Sequence, residues 1–105
     1  MSTRNKRHVK ITAPALSDIE QIAAYTFKQW GMQKTETYVS QIDLTVQAIA
    51  DNPALGRARI GVPEAIKGRK SGSHVVFYRV QEETIYIMRI LRESMDHGRH
   101  FDDIA

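Results

Sequence analysis

The chain has no cysteine. That excludes a disulfide framework, a thiolate nucleophile and every cysteine zinc site. It has no long apolar run. No segment approaches the ~20 apolar residues that span a bilayer, and no signal-peptide core follows the basic start at Arg4, Lys6, Arg7 and Lys10. A cytoplasmic protein without a membrane partner is therefore expected. Internal repeats, low-complexity tracts and linkers are missing too, so residues 1–105 are expected to form one domain. No Walker loop, G-x-G-x-x-G, H-E-x-x-H or G-x-S-x-G motif is present. No catalytic residue and no cofactor is expected, and the protein is read as a binder of macromolecules.

What is present suits a folded chain: 42% hydrophobic and 26% charged residues over 105 positions. The net charge of +3 is unevenly spread. Arg57, Arg59, Lys67, Arg69, Lys70 and Arg79 face a single acid, Glu64, in their stretch. Acids gather elsewhere, at Asp18 and Glu20, Glu82 and Glu83, Asp102 and Asp103. A basic stretch of this kind suits an acidic protein partner or nucleic acid, or is a solvated rim.

The alternation over 8–12 predicts a short strand with Val9 and Ile11 inward. Pro14 suits the first turn of a helix, because its missing N–H costs nothing there. Asp18 and Glu20 lie early in that helix, on the favourable side of its dipole. Leu16, Ile19, Ala23, Phe27 and Trp30 recur at helical spacing and read as its buried stripe, which would put Trp30 in the core. Gly31 ends it. A second helix over 33–51 carries Val39, Ile42, Val46 and Ile49, with Tyr38 beside them, and Asn52-Pro53 stops it. So short a join makes the helices an antiparallel hairpin. Strands follow over 64–70, 74–80 and 84–91, linked by short turns. The expected fold is a two-layer α/β sandwich in the order β-α-α-β-β-β. An antiparallel helical hairpin packs on a largely antiparallel four-stranded sheet, with a short polar C-terminal segment.

Two features on this frame bear on chemistry. His97 and His100, near Asp96 and Asp102, have a spacing that can present two metal ligands, but solvated histidines explain it better and no metal is expected. Arg89 interrupts the face shared by Ile85, Ile87 and Leu91. It needs either a partner, for which Glu93 and Asp96 are nearest in sequence, or an anion.

Three stretches together resemble a known family. They are 14–26 (PALSDIEQIAAYT) closing with Trp30-Gly31; 52–57 (NPALGR); and 72–80 (GSHVVFYRV) followed by 90–96 (ILRESMD) and Arg99-His100-Phe101. Their order and spacing look like a ParE-type toxin of the RelE/ParE superfamily. Glu93 falls where many relatives carry a histidine or another polar residue, and Gly98 interrupts the ending. The resemblance implies the toxin of a type II toxin–antitoxin pair that poisons DNA gyrase. It further implies neutralisation by a ParD-like antitoxin, through which alone the complex would touch operator DNA. On that basis Arg89, Arg92, Met95, Asp96, Arg99 and His100 are the candidate gyrase contacts. Arg57, Arg59, Lys67, Arg69 and Lys70 are the candidate antitoxin contacts. The sister RelE branch, ribosome-dependent mRNA endoribonucleases, is the alternative, with Lys67, Arg69, Arg79 and Arg89 able to hold a phosphate.

Overall fold

The computed structural model describes residues 8–101. Arg4, Lys6, Arg7, Asp102 and Asp103 lie outside them. The element order is β1 (His8–Ile11), α1 (Ala13–Trp30), α2 (Met32–Asp51), β2 (Lys67–Ser71), β3 (His74–Gln81) and β4 (Thr84–Arg92). Short 3-10 turns at Pro53–Leu55 and His97–Phe101 complete it. The sheet order is β1-β4-β3-β2. β3 pairs antiparallel with β2 and β4, while β1 pairs parallel with β4. The expected architecture is therefore found, and the two strongly apolar strands are its interior pair.

Local chemistry sets the helix ends. Thr12 caps α1, its hydroxyl oxygen accepting the Ala15 N–H and its O–H donating to Ile87 O of β4. The cap thus also ties the helix start to the central sheet. Gly31 joins α1 to α2 at φ 90°, a conformation that side chains avoid. A β-carbon there would meet nothing within 4 Å. The glycine is needed for its backbone angle and not for space.

α2 buries Ile42, Val46 and Ile49, with Tyr38 and Val39 half-buried, as its spacing predicts. α1 departs from its prediction. It buries Ala15, Asp18 and Ile22. Leu16 is 49% exposed, Phe27 54% and Trp30 66%. The stripe of larger residues therefore lies to one side of the face that meets the sheet. The smaller residues face inward because α1 comes down close on β4, with Ala15 fully buried in the core.

The sheet is covered on both sides. On one, the helices bury Val76, Tyr78, Ile85, Ile87 and Ile90. On the other, Ile66, Val75, Phe77, Leu91 and Phe101 form a second cluster under the 56–66 loop and the C-terminal turn. The ending is thus not a polar tail: Phe101 is 1% exposed and stacks edge-on against Phe77. β2 starts at Lys67, three residues later than the pattern suggests, because Pro63–Ile66 forms a turn, with the Ile66 N–H donating to Pro63 O.

Tyr78 connects the sheet to the loop after α2. Its ring is fully buried, and its hydroxyl accepts the Gly56 N–H at 2.7 Å and donates to Pro53 O. A β-carbon on Gly56 would fall 2.3 Å from that oxygen, so only glycine fits. Burial pushes the Tyr78 phenol above its ordinary pKa, with the Gly56 hydrogen bond opposing. Replacing Tyr78 by Phe strands two backbone groups and is expected to lower the unfolding free energy by about 1–2 kcal/mol. Urea titration at neutral pH reads this directly; an unchanged midpoint would remove Tyr78 from the scaffold.

Candidate functional site

The central feature is an ion pair across 71 residues of sequence. Asp18 of α1 accepts Arg89 Nε at 2.8 Å and Arg89 Nη2 at 2.9 Å, a bidentate fork. The Ile90 N–H adds a third bond at 2.9 Å. Arg89 is therefore paired with Asp18 and not with Glu93, which instead meets Lys70 at 3.2 Å, nor with Asp96. Nor does Asp18 act as a solvated dipole residue: it is 8% exposed. The hydrogen bonds from Arg89 to Asp18 raise the guanidinium above its ordinary pKa, against the effect of burial.

A β-bulge makes the pair reachable. Phe77 opposes Arg89 and Tyr78 opposes Ile87, which leaves Met88 unpaired. The extra residue reverses the alternation in β4. Ile85, Ile87 and Ile90 face the helices, while Leu91 crosses to the second cluster. Leu91 was expected on the face of Ile85 and Ile87. Strict alternation fails at the bulge.

Beside this pair lies a groove of about 740 Å³ between α1, the start of α2 and the ends of β3 and β4. Ile22, Ile90 and Leu91 contribute apolar lining, with Tyr25, Trp30, Lys34, His74, Arg92 and Met95 also along it. Among the described residues Asp18 is the one acid that lines it. Trp30 and Tyr25, 66% and 53% exposed, carry Lys34 and Arg92 over their rings at 5.8 and 5.5 Å. At one end the Tyr38 hydroxyl stands 2.6 Å from His74 Nδ1 and accepts the Ser73 N–H at 3.0 Å. Burial first, and Arg92 second, lower His74 below its ordinary pKa, with Asp18 opposing. The Tyr38 hydroxyl also lies 3.3 Å from Ser71 O and 3.2 Å from Ser73 Oγ, so it gathers the β2–β3 turn around His74.

The candidate gyrase residues divide. Arg92, Met95, Asp96 and Arg99 are exposed. Arg89 is held by Asp18, and His100 is half-buried with Nδ1 3.5 Å from Arg89 Nη1. His97 is not a solvated ligand either: its ring packs on Phe77 and its Nε2 lies 2.8 Å from Arg92 O. Among the described residues no group of three or more His, Asp or Glu is arranged to hold a metal. No helix among them is long and apolar enough to cross a membrane.

The candidate antitoxin residues lie along β2, an edge of the sheet. Arg57 and Gly68 exchange two backbone hydrogen bonds of 2.9 Å, so part of that edge is already closed. Arg57, Arg69 and Lys70 are exposed, Lys67 and Arg59 half-buried, and Arg59 Nε is buried without a partner. Arg79 bonds Gln81 at the far end of β3. The basic residues therefore do not converge on one phosphate-sized point.

A model of the family described as "ParE toxin of type II toxin-antitoxin system, parDE" matches residues 9–97. The chain belongs to the ParE toxin family. Toxin ParE1 of Caulobacter vibrioides is 31% identical over 91 residues, spanning 87% of this chain and 94% of that protein. Toxin ParE1 of Mycobacterium tuberculosis is 32% identical over 91 residues, spanning 86% and 93%. A chain of the chromosomal ParDE TA system from P. aeruginosa shares the fold with TM-score 0.73 and 21% identity, over 83% of this chain and 96% of that one. A chain of the toxin–antitoxin complex RelBE2 from Mycobacterium tuberculosis does so with TM-score 0.59 and 14% identity, over 85% and 100%. In this ParE-family chain the Asp18–Arg89 pair and every groove residue but His100 belong to the matched region. Sequence reasoning missed both Asp18 as a partner and the groove. Asp18's place in a helical turn between Ala15 and Ile22 was the available signal.

Asp18→Asn leaves a half-buried guanidinium without its counter-charge. It is expected to destabilise the fold by about 3 kcal/mol, with Arg89→Met restoring part of the loss in the double variant. Urea denaturation of the three variants checks this, and additive losses would refute the coupling. His74 favours the neutral form when folded. Its contribution is therefore complete above pH 6.5 and is lost as pH falls from there through the lowered folded value. Unfolding free energy measured from pH 7.5 to pH 5 should fall less steeply in His74→Asn than in the parent.

Proposed function

We propose that this toxin poisons DNA gyrase by binding it, with no reaction of its own, and that a ParD-like antitoxin neutralises it. The observation that carries the reading is the ParE family match across residues 9–97. Physically, toxicity then follows from preferring one state of gyrase over the others, which shifts that enzyme's population toward a trapped cleavage complex. The exposed set Arg92, Met95, Asp96 and Arg99 is the surface assigned to gyrase. Arg89 and His100 serve that surface from beneath, by holding the end of β4 and the C-terminal turn in place.

The antitoxin is assigned to the β2 edge, where Arg57, Arg69 and Lys70 are exposed beside half-buried Arg59 and Lys67. An acidic, extended segment suits such an edge, entering beyond the part that Arg57 already closes. Operator DNA is reached only through the antitoxin. The working compartment is the cytoplasm, where gyrase is.

One observation favours the RelE-like alternative. Tyr38, His74, His100 and Arg92 line one groove, and proton transfer beside a cation is what RNA cleavage needs. Two features weigh against it. Asp18 neutralises Arg89, and Tyr38 and His74 are bonded to each other.

The deciding experiment is a gyrase supercoiling and cleavage assay with purified protein, run beside ribosome-programmed mRNA cleavage. The expected result is lost supercoiling, accumulated cleaved DNA and intact mRNA. Arg92→Ala/Arg99→Ala should weaken inhibition at least about tenfold, on the scale of two charged contacts at an interface. Cut mRNA with unaffected gyrase would transfer the protein to the ribonuclease branch.

A further inference from the structure

The rim of the groove repeats one unit. Trp30 has Lys34 over its ring at 5.8 Å, and Tyr25 has Arg92 over its ring at 5.5 Å. Both rings are more than half exposed, and both cations are exposed. Large aromatics are normally buried for their area, and leaving two open on one groove discards that stabilisation. Asp18, the one acid among the described residues that line the groove, is saturated by Arg89 and the Ile90 N–H, so it does not cancel Lys34 or Arg92.

A mostly exposed flat ring with a cation over it, used twice, complements a polymer whose monomer carries a flat ring and an anion. We propose that this groove binds single-stranded nucleic acid, with bases stacked on Trp30 and Tyr25 and phosphates on Lys34 and Arg92. Stacking on aromatic platforms within a positive groove is how proteins hold single strands without reading sequence. An acidic peptide would satisfy the cations. Its apolar side chains, however, seek an enclosed pocket, whereas Trp30 and Tyr25 stand more than half exposed on the rim. A duplex is excluded as the ligand, because its bases are already stacked on one another. The inference goes beyond gyrase poisoning, and either can fail without the other.

Trp30 is the only tryptophan, so its emission reports the site directly. The intact protein is titrated with the oligonucleotides dT8 and rU8, with an abasic deoxyribose-phosphate octamer and with poly-glutamate. The expected result is saturable quenching by dT8 or rU8, about tenfold or more tighter than by the abasic octamer. The tighter of the two names DNA or RNA as the natural strand, since the 2′-hydroxyl is what distinguishes them. Affinity should fall with salt at a log–log slope of about −1.4 for two phosphates, and Lys34→Ala or Arg92→Ala should each remove about 0.7 of it. Tyr25→Leu should weaken dT8 by about tenfold and leave the abasic octamer unchanged. Urea midpoints establish that each variant is folded. Equal binding of the abasic octamer, quenching by poly-glutamate alone, no quenching by any ligand, or full binding by Lys34→Ala/Arg92→Ala would each overturn the proposal.

Discussion

Asp18 receives three hydrogen bonds, two from Arg89 and one from the Ile90 N–H, and most of the molecule's geometry is arranged around that carboxylate. It sets the rotation of α1, because the face carrying Asp18 must meet β4. It also holds Arg89 at a bulge, where β4 would otherwise present a charge to an apolar layer. With Arg89 fixed, the end of β4 and the following turn are fixed too. His100 approaches Arg89, and Phe101 closes over Phe77. A buried pair of this kind adds little net stability over an apolar replacement, but it specifies one packing against others. Specification is what a shaped binding surface requires.

Legibility in the sequence followed the range of the interaction. The element order, the helical hairpin and the interior position of β3 and β4 rest on local signals: Pro14 and Gly31 at helix ends, the steps Ile42, Val46 and Ile49, and doubly apolar runs. Those were readable. The rotation of α1 was not. Ala15 and Ile22 lie on one helical face and Leu16, Phe27 and Trp30 on another, and hydrophobicity favours the larger set. The choice is made by Asp18 reaching a residue 71 positions away, which no local pattern contains. The bulge at Met88 is equally invisible, so alternation misplaced Leu91.

The candidate site shows the same division. Exposed residues near the chain's end could be named from sequence, and Arg92, Met95, Asp96 and Arg99 are exposed. Pairings between elements could not be named. His97 and His100 look solvated in a polar stretch, yet Phe101 draws that stretch onto the sheet and takes both rings partly out of water. The groove is assembled from both helices, β3, β4 and the C-terminal turn, so its residues are scattered between positions 18 and 100. Exposed Trp30 and Tyr25 become recognisable only once α1 is correctly rotated.

The sheet order β1-β4-β3-β2 puts the last strand of the chain between its first and its third. Among the described residues β1 has no hydrogen-bonding strand neighbour other than β4. On the ribosome, then, the N-terminal strand and helix emerge long before the strand that anchors them. Contacts of such wide sequence separation form late in folding. Asp18 waits without its counter-charge until Arg89 has left the exit tunnel, so a truncated nascent chain lacks the closure on which the whole surface depends. A chain that ends before Arg89 therefore keeps Asp18 without its counter-charge and β1 without the strand it pairs with.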